Sequence, residues 1–242
     1  MAYAIVQSAS ISTTSASTVL TVDATHGEKV LSSALTLGNA AFVFVTNGTQ
    51  TAAGAVTDTL GNTYVAFNAM APVTGGGGGG LAQVFWCSNI THASTGVIYT
   101  PAAQSTYVGV GVVEVSGLST TANAVNGILT SAGSNPSVTV TNTANPCLVL
   151  AFMFDQGAND TNVAPSNGTS ISTPMTFTPG LAGVTTLTGT SHQRVLSNTT
   201  TTCSFTAAFD TFYGIALAVA EGASGPSGPA PMYAQRKVLY FI

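Results

Sequence analysis

The chain has 242 residues, a net charge of −4 and only 5% charged residues, whereas an ordinary soluble domain has about 25%. Four Lys and Arg residues are too few for a nucleic-acid-binding surface, because such a surface needs many phosphate contacts. The 45% hydrophobic content argues against a disordered chain, and no uninterrupted apolar run reaches the ~18 residues of a membrane helix.

Short apolar runs rich in β-branched residues, each bounded by Gly, Asn, Asp, Ser or Pro, follow one another along the chain. They predict an all-β fold, an antiparallel sandwich of the jelly-roll kind. The predicted strands of the first half are 3–6, 18–22, 41–46, 63–69, 82–88, 97–100 and 107–115. Those of the second half are 124–130, 137–141, 147–154, 176–178, 184–190, 192–196, 201–206 and 212–220.

The predicted strands fall into two kinds. Runs such as 41–45, 108–115, 148–154 and 215–220 are apolar on both faces and are expected in the centre of a sheet. Others, such as 138–141, alternate Val with Thr and should have one wet face. These wet faces carry Thr and Ser instead of Lys and Glu, which suits a surface that packs against neighbours in a larger assembly.

An internal repeat is also predicted. At an offset of 107 the run 41–45 superposes on 148–152, and 107–114 superposes on 214–221, which aligns Glu114 with Glu221. Two duplicated halves would then close one sandwich. The alternative is a chance similarity between β strands, because the identity is weak.

The chain divides into a β-sandwich domain over residues 1–221, a linker over 222–231 and a short tail over 232–242. The linker is rich in Gly, Pro and Ser and is therefore stiffer than a Gly/Ser linker. The hexaglycine at 75–80 is predicted to be a loop tip, because six Gly residues have a high backbone entropy cost in an ordered element.

The tail contains two of the four cations and several large apolar residues. It predicts a docking arm that adds a short strand to a sheet edge, with aromatic anchors and a basic pair that binds carboxylates. The alternative is a last strand that folds back onto its own domain. The residues assigned to the arm are Tyr233, Arg236, Lys237, Leu239, Tyr240, Phe241 and Ile242.

The sequence predicts neither a metal site nor a cofactor. Cys87, Cys147 and Cys203 lie far apart in apolar strands and are expected to be buried free thiols. The Asp155–Asp160 loop has the residue types of a weak Ca²⁺ site, but a hydrogen-bonded Asx loop explains them more simply. The N-terminus has neither the basic nor the apolar region of a secretory signal, so we expect synthesis and folding in the cytoplasm.

No enzyme is predicted. Glu114 and Glu221 could form a carboxylate pair for glycoside hydrolysis, but a strand-end Glu that accepts backbone N–H bonds or faces solvent is the simpler interpretation. No Gly-x-Ser-x-Gly motif is present, and no His lies next to a nucleophile in a recognisable catalytic motif. Asp58 to Thr63 is expected to be a turn. Trp86 is expected in the core or a subunit interface, with an exposed glycan-binding position as the alternative.

The run Val56 to Tyr64, with its Asp-Thr-Leu-Gly-Asn-Thr motif, is followed by the aromatic strand 84–90 and by 107–118, which ends Glu-Val-Ser-Gly-Leu. In this order the three segments resemble β-sandwich proteins of tailed-bacteriophage virions, which occur as capsid decoration (cement) proteins and as tail or fibre modules. The resemblance covers roughly residues 40–118 and brings no catalytic residues.

The resemblance and the charge-poor Thr/Ser faces together predict a capsid decoration protein. Its expected partners are the major capsid protein and copies of itself in a trimer, and its expected location is the virion of a phage assembled in the host cytoplasm. The alternative is a receptor- or glycan-binding module of a tail fibre, which would bind a host glycan through exposed aromatic residues. We expect the protein to bind neither nucleic acid nor a membrane.

Overall fold

The structure is a computed structural model of the chain. It describes residues 2–13, 27–47, 54–75, 80–103, 108–133, 135–155, 164–165, 169–170, 186–197, 200–206 and 210–222. Two predicted strands, 18–22 and 176–178, lie outside these residues, as do the linker from residue 223 onward and the whole arm.

Apart from one 3₁₀ turn, every regular element among the described residues is a β-strand, which confirms the predicted all-β class. The first nine strands are β1 (Ala4–Thr13), β2 (Gly27–Val30), β3 (Ala40–Asn47), β4 (Ala55–Asp58), β5 (Val65–Ala66), β6 (Val73–Gly75), β7 (Gly80–Cys87), β8 (Gly96–Thr100) and β9 (Val108–Ser116). The others are β10 (Leu118–Gly133), β11 (Ser137–Thr141), β12 (Cys147–Asp155), β13 (Ala164–Pro165), β14 (Thr169–Ser170), β15 (Thr186–Val195), β16 (Thr200–Thr206) and β17 (Asp210–Glu221). A single 3₁₀ turn, Phe67–Ala69, follows β5.

The strands form four antiparallel sheets. In the first half, a large sheet has the order β1-β9-β3-β7-β5, with β6 also paired to β7, and a small sheet has the order β2-β8-β4. In the second half, the large sheet is β10-β17-β12-β15-β14 and the small sheet is β11-β16-β13. Each half thus contains a five-strand path and a three-strand sheet of its own.

Three apolar cores hold these sheets in a stack. The central core lies between the two large sheets and combines Phe42 and Phe44 of the first half with Leu150 and Phe152 of the second. Each large sheet also packs its other face on the small sheet of its own half. The layers are therefore small, large, large and small, in contrast to the single two-layer sandwich expected from the repeat. Because both large sheets are covered on both faces, central strands such as β3 and β12 are apolar on both faces over most of their length.

Large aromatic side chains fill the central core. The ring centroids of Phe44 and Phe152 are 4.8 Å apart, across the boundary between the halves. Trp86 is stacked on Phe42 at 5.9 Å and meets Phe67 edge-on at 4.9 Å. Trp86 is only 5% exposed, which confirms its placement in the core.

The two halves share one pairing pattern. The strand at the start of each half (β1 or β10) pairs with the last strand (β9 or β17), which pairs with the third (β3 or β12). The ladders β3–β7 and β12–β15 correspond in the same way, as do β2–β8 and β11–β16. Strand β6 is the one described strand of the first half without a counterpart in this scheme.

The register of the halves differs from the predicted one by one residue. Ala41 pairs with Glu114 in the first half, and the corresponding pair of the second half is Cys147 with Ala220. Each residue of the second pair lies 106 positions after its counterpart in the first. The offset of 107 is wrong, because Ala41 faces the small sheet of its half whereas Leu148 faces the central core. A shift of one residue in a strand exchanges its two faces. Glu114 is therefore equivalent to Ala220 and not to Glu221.

Glycines lie at two connections between strands, one between β6 and β7 and one between the two halves. Gly75 at the end of β6 pairs with Gly80 at the start of β7, and the residues between them, where the loop tip is predicted, lie outside the described part of the chain. Gly117 joins the two halves with a φ of +77°, and a Cβ there would lie 2.8 Å from the carbonyl oxygen of Ala2. Gly222 donates its N–H to the Gly117 carbonyl oxygen at 2.8 Å. The start of the chain, its midpoint and the end of β17 therefore meet at one place.

Candidate functional site: the seam cluster and the hydroxyl face

The residues predicted for the docking arm all lie outside the described part of the chain, so the arm stays a prediction. The proposed Asp155–Asp160 loop also lies largely outside it. Cys87, Cys147 and Cys203 are buried and free, as expected. Burial raises the pKa of the thiols of Cys147 and Cys203 to about 11, so both remain protonated at neutral pH.

Glu114, near the end of β9, is completely buried. Its Oε1 accepts the Thr36 backbone N–H at 2.9 Å and Asn39 Nδ2 at 2.6 Å, and its Oε2 accepts Gln7 Nε2 at 2.6 Å. A buried charge is tolerated only when hydrogen bonds satisfy it. These three donors fix the 31–39 segment and β1 onto β9, which agrees with the structural interpretation of this strand-end Glu.

The Asp58 motif forms the predicted turn. Asp58 Oδ1 accepts the backbone N–H groups of Leu60, Gly61 and Asn62 at 2.7–3.1 Å. Its Oδ2 accepts Asn62 Nδ2 at 2.5 Å and the Tyr64 hydroxyl at 3.2 Å. Gly61 has a φ of +89°, which a residue with a side chain rarely adopts. The motif is thus explained by the local backbone.

A cluster of polar side chains lies where the edge strand β1 meets the second half, and we name Tyr3, His192, Arg194 and Glu221 the seam cluster. The Tyr3 hydroxyl lies 3.0 Å from His192 Nδ1, and the two rings meet edge-on at 5.9 Å. The Tyr3 backbone N–H also binds the Glu221 carboxylate. Tyr3 therefore contacts β15 through its side chain and β17 through its backbone.

An ion pair completes the seam cluster. Arg194 binds Glu221 in bidentate fashion, through Nε to Oε1 and through Nη2 to Oε2, the latter at 2.7 Å. The Glu221 side chain is 4% exposed and that of Arg194 is 45% exposed. Glu221 and Glu114 lie in separate sheets and bind separate partners.

The surroundings shift the pKa values of the seam cluster in defined directions. Burial, and then the Glu221 charge, raise the pKa of Tyr3, so its hydroxyl keeps its proton. Burial lowers the pKa of His192 below its ordinary value of 6.5, which favours the neutral imidazole. The hydrogen bond from Arg194 lowers the pKa of Glu221 and raises that of Arg194, so this pair is ionised at neutral pH.

The outer face of the β11–β16 ladder is built from hydroxyl side chains, and we name it the hydroxyl face. Thr139 Oγ1 lies 3.0 Å from Thr202 Oγ1, and Thr141 Oγ1 lies 3.4 Å from Thr200 Oγ1. Ser137 and Ser204 continue the row. Neither strand contains a charged residue, and Val138, Val140, Cys203 and Phe205 point inward between these positions.

The opposite end of the stack has a different chemistry. On the β2–β8–β4 sheet, Ile98 has Glu28 opposite it on one neighbouring strand and Thr57 on the other. Val30 on the same sheet is 49% exposed. The two small sheets therefore occupy equivalent places in their halves, but only that of the second half presents a row of hydroxyl groups alone along its ladder.

Within the described ranges, no group of three or more His, Cys, Asp and Glu side chains is placed to hold a metal ion. Among the same residues, no helix has the length and apolar character needed to cross a membrane. No protein-family model matches the chain, and no curated protein matches it.

Sequence reasoning missed three members of the seam cluster, Tyr3, His192 and Arg194. Tyr3 and His192 are 189 positions apart, and no local motif connects them. The hydroxyl face, in contrast, follows directly from the alternation of Val and Thr in β11.

Proposed function

We propose that the protein is a structural component of a virus particle: a decoration protein that covers and stabilises the head of a tailed bacteriophage. The observation that carries this proposal is the hydroxyl face, together with the resemblance of residues 40–118 to virion β-sandwich proteins. The partners would be the major capsid protein and further copies of this chain, with a trimer as the expected assembly.

The hydroxyl face supports a role in a crowded assembly for two physical reasons. Lys and Glu lose up to ~2 kcal/mol of side-chain entropy when they are covered, whereas the shorter Thr loses less. A hydroxyl group also costs much less to desolvate than a charge and can exchange a water for a partner's hydrogen bond. A neighbour can therefore cover this face at a low cost in free energy.

The shared pairing pattern supports an origin by duplication. We infer that each half is jelly-roll-like. When β6 is left out of the count, each half has eight described strands: the first, eighth, third, sixth and fifth form the large sheet in that order, and the second, seventh and fourth form the small sheet. Stacking the large sheets buries an apolar face of each half against the other. The outcome is a four-layer body that presents one small sheet at each end.

The proposed attachment combines the hydroxyl face with the predicted arm. The described chain ends at Gly222, beside Gly117 and the start of β1. Residues 232–242 would then bind the capsid or an adjacent copy through the aromatic and basic side chains given above. Deletion of residues 231–242 should leave a folded body that no longer attaches to particles, and attachment at wild-type occupancy would contradict the arm.

The hydroxyl face is tested with virus particles that carry this gene. Thr202→Lys places a charge in the centre of the face, and Thr57→Lys places the same charge on the opposite small sheet as a matched control. We expect Thr202→Lys to lower the number of copies per particle several-fold while the purified protein melts within a few degrees of wild type. Equal occupancy of both variants and wild type would contradict attachment through this face.

A further inference from the structure

The seam cluster lies at the edge where the two large sheets close on each other. Tyr3 packs against the central core together with Ile5 of β1, and it is the residue through which β1 binds His192 and the Glu221 carboxylate. On β15, His192 stands opposite Leu150, and Arg194 stands opposite Leu148, and both Leu residues belong to the central core. The cluster is thus the polar border of that core.

We infer that the contact between Tyr3 and His192 is an acid-sensitive latch, which holds β1 against the second half when His192 is neutral and loosens when His192 is protonated. This inference concerns the chain itself and does not depend on the proposed function.

The hydrogen bond gives the first physical reason. The Tyr3 hydroxyl keeps its proton and donates it to Nδ1 in the neutral imidazole tautomer that carries its own proton on Nε2, which is the tautomer that the latch requires. An imidazolium has protons on both nitrogens and accepts no hydrogen bond. Protonation therefore places two donors 3.0 Å apart unless the phenol proton turns away to another acceptor.

The charges around the ring give the second reason. The titratable groups on the packed elements are Tyr3 just before β1, Arg194 on β15 with His192, and Glu221 on β17, whose pKa the amino terminus also lowers. Cys147 on β12 acts on Tyr3 but faces the other core. The Glu221 carboxylate already binds Arg194 and the Tyr3 N–H, so a new imidazolium finds the Arg194 guanidinium nearby and no free carboxylate among these groups.

The direction of the pH dependence follows from linkage. The pKa of His192 is lower in the folded protein than its ordinary value of 6.5, because burial disfavours the imidazolium. The folded state then binds fewer protons than the opened state at mildly acidic pH. The stabilisation by the latch is complete above about pH 6.5 and is lost as the pH falls below that value.

The test is hydrogen–deuterium exchange of the full-length protein at about pH 7.5 and about pH 5.5, corrected for the intrinsic exchange rate. We expect the protection of peptides covering β1 to fall several-fold at the lower pH in the wild type. His192→Gln should remove this dependence. His26→Gln and His92→Gln, which change the other two histidines of the sequence, should keep the wild-type response.

A second variant keeps the test decisive if His192→Gln fails to fold. Tyr3→Phe retains the ring but removes the hydroxyl, so β1 should already be less protected at about pH 7.5 and should lose little more at about pH 5.5. The inference is overturned if wild-type β1 exchanges equally at both pH values. It is also overturned if His192→Gln or Tyr3→Phe retains the full wild-type response.

Discussion

The ring of Phe44 on β3 occupies the space above Gly111, its partner on β9. A Cβ atom at position 111 would lie 1.6 Å from Phe44 Cζ. The same ring contacts Phe152 of the second half at a centroid distance of 4.8 Å. The missing side chain of one residue thus makes room for an aromatic contact that joins the two large sheets.

Gly111→Ala is expected to destabilise the protein by about 1–3 kcal/mol, because the added methyl group displaces a fully buried ring in a packed core. The free energy of unfolding in urea measures this effect. Gly111→Ala combined with Phe44→Leu serves as the control, since the smaller side chain leaves space for the methyl group. The double variant should be more stable than the sum of the two single changes implies, and simple additivity would contradict the overlap.

The buried Glu114 is expected to be required as a carboxylate. Glu114→Gln replaces one accepting oxygen by an NH₂ group, which then faces the donor of Gln7 or those of Thr36 and Asn39. We expect a loss of about 1–3 kcal/mol in the free energy of unfolding, the cost of a buried donor without an acceptor. Urea denaturation at neutral pH checks this value.

Exchanging the two side chains provides the matched control for this prediction. In the double variant Glu114→Gln, Gln7→Glu, the amide NH₂ at position 114 can donate to the new carboxylate at position 7. The amide oxygen still accepts from Thr36 and Asn39. The double variant should recover part of the lost stability, whereas a further loss would show that Gln7 does not act as the donor.

The ion pair between Arg194 and Glu221 should make stability depend on pH in the acid range. The pKa of Glu221 is lowered from its ordinary value of 4.5, chiefly by the hydrogen bond from Arg194. Its stabilising contribution is therefore present above about pH 4.5 and is lost as the pH falls through the lowered value. Unfolding free energies between about pH 6 and pH 3 should decline less in Glu221→Gln than in the wild type.

Arg194→Gln is the reciprocal variant for the same measurement. It retains the carboxylate but removes the group that lowers the Glu221 pKa, so its decline between these pH values should also be smaller than that of the wild type. A decline in both variants as steep as in the wild type would mean that the ion pair does not cause it.

The sequence was sufficient for the all-β class, the Asp58 turn and the core position of Trp86. Each follows from a local pattern: turn residues that bound short apolar runs, a carboxylate next to backbone N–H groups, and an aromatic residue in an apolar strand. The alternation of Val and Thr likewise identified the wet face of β11.

The offset of the repeat was missed by one residue for a physical reason. Strands β3 and β12 are buried on both faces, so they lack the alternation that would distinguish the face of Phe42 from that of Val43. Predicted strand limits failed similarly at β15, which is one strand over Thr186–Val195 where two were expected. At the other end, 63–69 contains only the short β5 and a 3₁₀ turn.

The stacking of two complete halves and the seam cluster were beyond sequence reasoning. Both depend on contacts between distant segments, such as Phe44 with Phe152 and Tyr3 with His192. Nothing in the local pattern at Tyr3 indicates that its partner lies on β15.

The number of copies of this protein in a purified virus particle tests the central claim most directly. Quantitative mass spectrometry against the major capsid protein of the same particles supplies this number. A decoration protein should be present in copies on the order of hundreds, in a fixed ratio to the capsid protein. A handful of copies per particle would identify a tail or fibre module instead, and absence from the particle would contradict the structural role.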